Sequence, residues 1–371
     1  MISGIRDIIM IDRRLLTVLG VLLAFLAHSF ITTRGVNHRL LIESTNKFTK
    51  VDAAYELWKA KFGRLYGSPN ENVYRKDIFA NNFVLVENTN SENSKYKLEL
   101  NQMADMTDDE VKARYFGLGT IEEEIHSVSY RRMLQEGNNW ATDSDFEHTN
   151  YIPFSKDWTE NESLIPPTHQ RGCGACYAFA AVATLEHLHF KKTGQLLKLS
   201  EQELIDCSKG RGNSGCRGGW THQAYDYVLQ FNGLQRSITY PYMGSEQMFC
   251  RQTESLNVKD LISGYKRIPE NNKEMIKKAL HKSVVAAAVD ASFLKFYASG
   301  VYDNKSCGTI INHAIVIVGY GMEADGTKFW KVRNSWGSMW GYNGYFKILR
   351  DDSPSVDGLC GLTKYLVFPT A

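Results

Sequence analysis

The segment Gln170-Arg-Gly-Cys173-Gly-Ala-Cys176-Tyr177-Ala-Phe179 decides how the rest of this 371-residue chain is interpreted. Its second cysteine, Cys176, opens an apolar run that is typical of a helix and that should end before Thr193-Gly194. A thiol in the first turn of a helix lies at the positive end of the helix dipole, which favours the thiolate. The sequence therefore predicts a nucleophilic sulfur at the start of this helix.

Two segments far downstream supply the partners that a reactive thiol needs. Asn312-His313-Ala314 places a histidine at the start of an apolar run, and Asn334-Ser335-Trp336-Gly337 carries a further asparagine. A nucleophile, its base and a group that orients the base can come from separate segments of a chain. We therefore predict that His313 is the base for Cys176 and that the side-chain amide of Asn334 holds the imidazole ring.

Other residues of the same segments could complete such a site. Gln170 could donate its side-chain amide, together with the backbone N–H of Cys176, to the negatively charged oxygen of a tetrahedral intermediate. Trp336 could exclude water from the contact between the histidine and the asparagine. Gly218-Gly219 leaves backbone groups uncovered, which suits pairing with an extended peptide.

Each of these features also has a simpler explanation. Cys176 could be half of a disulfide, the histidine a buried structural residue, and Gly218-Gly219 a bare turn. Cys173-Gly-Ala-Cys176 could be a redox motif, although no βαβ pattern precedes it. A zinc site that adds Cys207 and Cys216 is a further alternative, although these two cysteines are nine residues apart. We favour the nucleophile because the other six cysteines can pair, whereas this one has a glutamine and a histidine as partners.

Composition excludes some classes of function. The chain is 43% hydrophobic and 23% charged, with a net charge of +2 and no long block of one sign, so nothing indicates a nucleic-acid partner. All seven cysteines follow residue 170, and an odd count in a secreted chain implies disulfides plus one free thiol. Asn161 and Asn304 each begin an N-glycosylation triplet, which is compatible with secretion.

Residues 1–29 are typical of a secretory signal peptide. Basic residues precede an apolar run, and Ala27-His28-Ser29 places small residues where cleavage after Ser29 requires them. The alternative is an uncleaved membrane anchor, since residues 15–31 are almost long enough to span a bilayer. Either interpretation sends the rest of the chain into the secretory pathway, towards a lysosome, a vacuole or the cell exterior.

The remaining sequence changes character along its length. Apolar spacing predicts helices over residues 51–62 and 71–90, and Ser200 and Glu203 have the spacing of a helix cap. The stretch from Gly117 to Asn150 has no sustained apolar period, and we interpret it as a linker open to proteolysis. Short β-type runs occupy residues 284–289, 314–318, 329–333 and 345–349. Helices followed by strands predict an α lobe facing a β lobe, with the active site in a cleft between them.

These residues resemble the papain and cathepsin L family of cysteine proteases, whose signature around the nucleophile is C-G-[SA]-C-[WY]. The resemblance runs from Val51 to the C-terminus and rests on residues 157–158, 170–179, 199–207, 216–219, 312–314, 318–321, 334–337 and 340–345. It implies an α+β papain-like fold, with an α-helical lobe and a β-barrel-like lobe preceded by a helical inhibitory prodomain. It also implies the catalytic roles given above for Cys176, His313, Asn334 and Gln170, without a metal or other cofactor.

Three disulfides are implied only by this resemblance, and they join Cys173 to Cys216, Cys207 to Cys250 and Cys307 to Cys360. They leave Cys176 as the unpaired seventh cysteine.

The resemblance also implies which residues contact a substrate. These are Gly218, Gly219, Asn312, Trp336 and Tyr365. The last of these would form the floor of the pocket for the second residue before the cut, and we expect its ring to narrow that pocket against the bulkiest side chains. Tyr177 stands where most relatives carry tryptophan, and we expect altered packing near the cleft rather than lost catalysis.

Residues 51–117 resemble the inhibitory propeptide of the same family. Six residues have the interspersed spacing of its helix motif, with valine in place of isoleucine: Glu71, Arg75, Phe79, Asn82, Val86 and Asn90. This motif separates the cathepsin L type from cathepsin B. In a second motif Asn101 and Asp105 are present, but Glu99 and Met103 replace the usual glycine and phenylalanine, so we expect altered tightness of the propeptide and an altered pH of its release.

The sequence thus predicts a zymogen with a signal peptide (1–29), a spacer (30–50), an inhibitory propeptide (51–117), a linker that is cut on activation (118–150) and a catalytic domain (151–371). Mild acid and cleavage in the linker would release a monomeric endopeptidase whose first residue lies within a few positions of Asn150. Its partners would be peptide substrates and its own propeptide, with a membrane only if the N-terminal segment is an anchor. The main alternative is a binding or storage protein of the same fold that has lost catalysis.

Overall fold

The computed structural model describes residues 50–92, 95–119, 139–147, 151–353 and 357–371. By its contacts the chain divides into Met1–Gly67 and Ser68–Ala371. The predicted signal peptide or anchor lies outside the described residues. Among the residues that are described, no helix is long and apolar enough to cross a membrane.

The first unit contains helix α1, residues 50–62, which confirms the helix predicted over 51–62. The rings of Tyr55 and Trp58 stack with centroids 6.1 Å apart. The helix ends at Gly63, whose φ of 59° is the left-handed conformation in which glycine is favoured at a helix end.

The second unit begins with an N-terminal segment that carries helix α2 (Pro69–Glu92), strand β1 (Tyr96–Leu98) and helix α3 (Asp108–Tyr115). Helix α2 confirms the amphipathic helix predicted over 71–90, and Phe79, Phe83 and Val86 are its buried residues. Helix α3 was not predicted, although its start carries a readable signal. Thr107 and Glu110 form a reciprocal capping box at its N-terminus.

The α lobe is built on three helices, α4 (Cys176–Thr193), α5 (Glu201–Cys207) and α6 (Thr221–Gln230), and a short ladder of β3 (Leu234–Gln235) and β4 (Asn257–Val258). The predicted cap of α5 is half formed. The Ser200 hydroxyl accepts from the Glu203 amide at 3.0 Å. The Glu203 carboxylate does not complete the box and instead accepts from the Tyr227 hydroxyl and the Gln235 amide.

The β lobe is one large sheet with a helix packed against it. Its elements are β2 (Lys156–Asp157), β5 (Gly264–Arg267), α7 (Lys273–Lys282), β6 (Val285–Val289), β7 (Tyr297–Tyr302), β8 (His313–Met322), β9 (Lys328–Arg333), β10 (Tyr345–Leu349) and β11 (Leu366–Thr370). The strand order is β1-β7-β10-β9-β8-β6-β11-β5, with β2 paired to β8. The four predicted strands are confirmed, β10 with the predicted ends and the other three with shifted ends, whereas α7, β2, β5, β7 and β11 were not predicted.

Strand β8 connects the two hydrophobic cores. Ile315 and Ile317 belong to the core that also contains α7, whereas Ala314, Val316 and Val318 belong to the core that contains α4. Successive side chains of a strand point to opposite faces, so a strand buried on both faces reads as a continuous apolar run. His313 begins this strand, directly before Ala314 of the core that contains α4.

The disulfides are those that the family resemblance implies: Cys173–Cys216, Cys207–Cys250 and Cys307–Cys360. Cys176 is free. The redox and zinc alternatives are wrong, because Cys173 is bonded to Cys216 rather than to Cys176. In the part of the chain that the structure describes, no group of three or more His, Cys, Asp or Glu side chains could hold a metal ion.

Part of the predicted linker is folded. Residues 139–147 pair with β5 and include the 3₁₀ turn Asp143–Phe146, so the interpretation of the whole stretch as an open linker is wrong for these residues. Residues 120–138 and 148–150 of the same stretch lie outside the described residues.

Candidate active site

Cys176 is the first residue of α4, and the loop before it is fixed by covalent and hydrogen bonds. The disulfide ties Cys173 to Cys216, and the Gly174 amide donates to the Cys216 carbonyl at 2.9 Å. The thiol is fully buried. This closed loop places Cys176 at the N-terminus of α4, which is the position that the sequence predicted for it.

His313 is the first residue of β8, and Asn334 directly follows the end of β9, the antiparallel neighbour of β8. The ring Nε2 lies 2.8 Å from Asn334 Oδ1, which also accepts from the Ser335 amide at 2.8 Å. Because that oxygen is an acceptor, Nε2 carries the proton and Nδ1 is left as the basic nitrogen. The amide of Ala314, the next residue along β8, faces the Cys176 sulfur. The structure thus brings the three predicted side chains to one place.

Gln170 is fully buried, and its side chain is oriented by Ser335, a residue that the sequence analysis missed. The Ser335 hydroxyl donates to Gln170 Oε1 at 2.6 Å, so the amide NH₂ must point the other way. That NH₂ donates to the carbonyls of Cys173 at 2.9 Å and Tyr115 at 3.0 Å. The Tyr115 carbonyl therefore occupies the Gln170 N–H that an oxyanion would need.

Residues 115–119, which we call the cleft segment, run over the thiol. Leu118 forms a parallel bridge with Gly219. The Leu118 amide donates to the Asn312 carbonyl at 3.2 Å. The Gly219 amide donates to the Gly117 carbonyl at 3.0 Å, and the Gly219 carbonyl accepts from the Gly119 amide at 3.1 Å. An extended chain segment is paired here with the uncovered backbone that the Gly218-Gly219 motif predicted.

Gly117 is the tightest point of this contact. A Cβ at this position would lie 1.9 Å from the Gly174 carbonyl oxygen and 2.6 Å from its Cα. Real Cβ atoms do not approach backbone that closely, so only glycine fits without a shift. The amide of Gly117 also faces the sulfur of Cys176.

Burial under the cleft segment keeps the thiol and the imidazole neutral. It raises the pKa of Cys176 to about 11, although the amides of Ala314, Gly117 and Tyr177 act in the opposite direction. It lowers the pKa of His313 to about 4, against the opposing effects of Asn334 and the Tyr115 carbonyl. A thiolate–imidazolium pair is therefore disfavoured in this closed form.

Trp336 covers the histidine, as predicted. Its fully buried ring lies 4.9 Å from the His313 ring, centroid to centroid. The ring of Phe116 in the cleft segment stacks with the indole at 6.4 Å and lies 6.1 Å from the His313 ring, and Tyr115 meets the indole edge-on at 5.9 Å. Aromatic rings of both the β lobe and the N-terminal segment thus cover the His313–Asn334 contact.

The remaining predicted substrate-binding residues have different environments. The Asn312 side chain is turned away towards Asp290 and Ser292, so only its backbone meets the cleft segment. Tyr365 is buried, with its hydroxyl accepting from the His222 amide at 3.2 Å and its ring centroid 4.8 Å from that of Trp220.

Tyr177, the residue that replaces the usual tryptophan, is fully buried behind the cleft. Its hydroxyl donates to the Gly215 carbonyl at 3.2 Å.

Residues 68–114, which we call the anchor region, hold the cleft segment in place. Arg75 donates to Glu110 at 2.7 Å, and Asn82 donates to the Ala104 carbonyl at 2.9 Å. Asn90 bonds both backbone groups of Leu98 at 2.8 Å. The polar residues of the predicted helix motif therefore tie α2 to α3, to the turn before α3 and to β1.

The anchor region also binds the β lobe directly. Strand β1 pairs with the edge of β7, and the Asn101 side chain donates to the Lys295 carbonyl at 2.7 Å. The Lys295 ammonium, which is buried, donates to the Met106 carbonyl at 2.5 Å and lies 3.4 Å from Asp108. Met103, which replaces the usual phenylalanine, is fully buried in the shared core. Lys295 carried no signal in the sequence because its partners lie almost 190 residues away.

Two family models match this chain. Residues 152–370 match the papain family cysteine protease domain, and residues 55–111 match the cathepsin propeptide inhibitor domain, I29. The fold and the covered thiol thus define a cysteine protease with an inhibitory propeptide, and the chain belongs to the papain family.

Relatives cover nearly the same length. Fruit bromelain of Ananas comosus is 38% identical over 321 residues, which are 85% of this chain and 85% of bromelain. Cathepsin J of Rattus norvegicus is 35% identical over 329 residues, or 86% of this chain and 92% of the cathepsin. The structure of recombinant stem bromelain precursor has a TM-score of 0.75 at 35% identity and covers 86% of this chain and 99% of that one. Digestive procathepsin L 3 of Tenebrio molitor larval midgut has a TM-score of 0.74 at 28% identity, with the same coverage.

Proposed function

We propose that this protein is a cathepsin L-type endopeptidase in its inhibited proform, and that it cuts peptide bonds with Cys176, His313, Asn334 and Gln170. The observation that carries the proposal is the free thiol at the start of α4, covered by a backbone-paired segment and flanked by the His313–Asn334 contact. The predicted signal peptide and the three disulfides favour the secretory pathway.

Release of the cleft segment would hydrate the site and let the thiol pass its proton to the basic Nδ1 of His313. The thiolate attacks the substrate carbonyl carbon, and the resulting oxyanion is stabilised by the Gln170 NH₂ and the Cys176 amide. His313 then gives its proton to the departing amine as the C–N bond breaks, which leaves a thioester. Water, deprotonated by His313, attacks the thioester and yields a carboxylic acid and the free thiol.

Acid would favour this release because carboxylates hold the anchor region. Glu110 has a pKa held below its ordinary value, chiefly by the hydrogen bond from Arg75, while burial opposes the shift. A carboxylate of this kind stabilises the closed form above its unfolded-state pKa, and the contribution is lost as the pH falls through the lowered value.

We base the proposed substrate preference on Leu118 of the cleft segment and on Tyr365, the predicted floor of the pocket for the second residue before the cut. The Leu118 side chain packs against the core cluster that contains Trp220, Ala314 and Tyr365. We expect a branched aliphatic residue such as leucine at the second position before the cut. Tyr365 would exclude larger rings, because the His222 amide holds its hydroxyl.

The test of catalysis uses the full chain after activation at acidic pH. Cys176→Ala and His313→Ala should each lower kcat/KM for a peptide substrate by about 10⁴-fold or more. The matched control is His281→Ala, which removes an exposed histidine of α7 and should leave activity unchanged. Full activity in Cys176→Ala, or no labelling of Cys176 by a thiol-reactive epoxide, would favour the non-catalytic alternative.

The test of specificity compares peptides that differ only at the second position before the cut. Leucine should be cut faster than phenylalanine, and Tyr365→Ala should reduce or reverse that ratio. A wild-type preference for phenylalanine or tryptophan would refute the role of Tyr365.

A further inference from the structure

Residues 139–147, which we call the strap, lie outside both family domains, since the propeptide match ends at residue 111 and the protease match begins at 152. The strap nevertheless extends the sheet. The Arg267 amide donates to the Asn139 carbonyl, and the Ala141 amide donates to the Arg267 carbonyl, both at 2.7 Å. Because β5 is the outermost strand in this direction, the strap covers an edge that would otherwise expose unpaired backbone groups.

Apolar side chains of the strap are part of the β-lobe core. Ala141 and Phe146 are each 3% exposed and belong to the same cluster as Ile276 and Leu280 of α7. The Phe146 ring lies 6.0 Å from Phe368 of β11. Burial of a phenylalanine side chain is worth about 1.5–3 kcal/mol, so this contact is substantial for nine residues.

Charges on the two surfaces are complementary. Asp143 lies 2.9 Å from Lys278, and Asp145 lies 3.5 Å from Lys266. Lys282 donates to the Asp145 carbonyl at 2.5 Å. The basic face of α7 and β5 is thus matched by an acidic turn in the strap.

We propose that the strap remains on the catalytic domain after activation, so that the peptide bond cut to release the propeptide precedes Asn139. A protease needs an accessible, extended backbone at the bond it cuts, whereas the strap is backbone-paired at Asn139 and Ala141, buried at Ala141 and Phe146, and ion-paired at Asp143 and Asp145. All the strap contacts described above end on α7, β5 or β11 of the catalytic domain. The inference rests on the proposed function in that a propeptide is cut away, and it replaces the expectation of a first residue near Asn150.

The decisive experiment is intact mass and N-terminal sequencing of the enzyme after the full chain is activated at acidic pH. The expected first residue is Asn139 or an earlier one. A first residue after Asn139 overturns the proposal.

A second experiment separates this inference from the catalytic one. The full-length Cys176→Ala chain is digested with pepsin, so that cleavage does not depend on the activity of the chain itself. The strap should stay attached to the fragment that contains α7. If the strap is protected here while the wild-type chain never processes itself, the proposed function fails and the strap proposal stands. Rapid cleavage inside the strap sinks the strap proposal alone.

Variants test whether the contacts hold the strap. Phe146→Ala should expose the strap to pepsin and lower the Tm of the processed enzyme by about 5 °C or more. The control is Phe154→Ala, because Phe154 is 67% exposed and follows the strap in sequence. If Phe146→Ala does not fold, Asp145→Asn should produce the same cleavage with a smaller Tm change. Cleavage rates equal to the wild type in both strap variants would contradict the proposal.

Discussion

The cleft segment and the anchor region differ in how much their binding depends on side chains. The cleft segment binds through its backbone, with Gly117 and Leu118 pairing to Gly219 and Asn312. The anchor region pairs β1 with β7 and adds side-chain contacts to the β lobe, such as Asn101 with the Lys295 carbonyl and the Lys295 ammonium with the Met106 carbonyl. Backbone pairing places few demands on sequence, so the cleft would accept many extended peptides, substrates included. Selectivity for this propeptide and its response to pH must therefore come mainly from the anchor region.

The largest expected effect comes from adding one methyl group to the cleft segment. Gly117→Ala would place Cβ 1.9 Å from the Gly174 carbonyl oxygen, which costs about 3 kcal/mol, at the upper end for overpacking. The closed form should open about 100-fold more often, while the anchor region stays bound. The rate of Cys176 alkylation by iodoacetamide, measured at pH 7 in the full chain before any processing, reports this opening.

The control for that variant is Gly210→Ala, since a Cβ at Gly210 meets no atom within 4 Å. Alkylation of Gly117→Ala at the wild-type rate would mean that the cleft segment has room to shift, and the contrast between the two regions would weaken.

A smaller effect is expected in the anchor region, where the pH response should reside. Glu110→Gln removes the charge that Arg75 holds at 2.7 Å, in a pair that is partly exposed, and should cost about 1 kcal/mol at pH 7. Since the pKa of Glu110 is lowered in the closed form, the wild type loses this contribution as the pH falls below about 4.5, whereas the variant has none to lose. Hydrogen exchange of residues 96–116 between pH 7 and pH 3, in a Cys176→Ala background, measures the difference.

The matched control is Asp109→Asn in the same helical turn, because Asp109 is 96% exposed and lies 3.7 Å from Lys112. Equal pH profiles for the Glu110 and Asp109 variants would show that this ion pair does not carry the pH response.

The smallest effect is expected at Gln170, whose amide binds the cleft segment in the closed form and is proposed to bind the oxyanion in the activated enzyme. Ser335→Ala leaves Gln170 Oε1 without its donor, so the amide that binds the Tyr115 carbonyl loses its fixed orientation. One hydrogen bond of this kind is worth about 0.5–1.5 kcal/mol, so kcat/KM of the activated enzyme should fall about 3- to 10-fold. Ser335→Thr, which keeps a hydroxyl, should retain more of the activity. In Ser335→Ala an unchanged KM would show that the orientation of Gln170 is lost rather than the binding of substrate.

The site was easier to predict from sequence than the contacts that close it. Cys176, His313 and Gln170 could be read because each sits in a short segment whose residue types match one chemical task. Lys295 could not be read, since a lone lysine gives no sign of a partner almost 190 residues away. Helix α3 was missed despite the capping signal from Thr107 to Glu110, because its eight residues carry too little apolar period.

Strand prediction failed for a related reason. Strand β8 was found because both of its faces are buried, whereas β7 exposes Ser299 and Gly300. Those two residues pair with β1 of the propeptide, so the edge that looks polar in sequence is a binding surface in the structure. The strap was read as a linker because a nine-residue segment is too short to show a period of its own.

The two-sided burial of β8 has a consequence for engineering. The strand that carries His313 is a shared wall between two interiors, so a volume change in either interior would be felt at the imidazole. Attempts to raise heat resistance by repacking Ile315 or Val316 would therefore trade directly against turnover, whereas the outer strands leave more freedom.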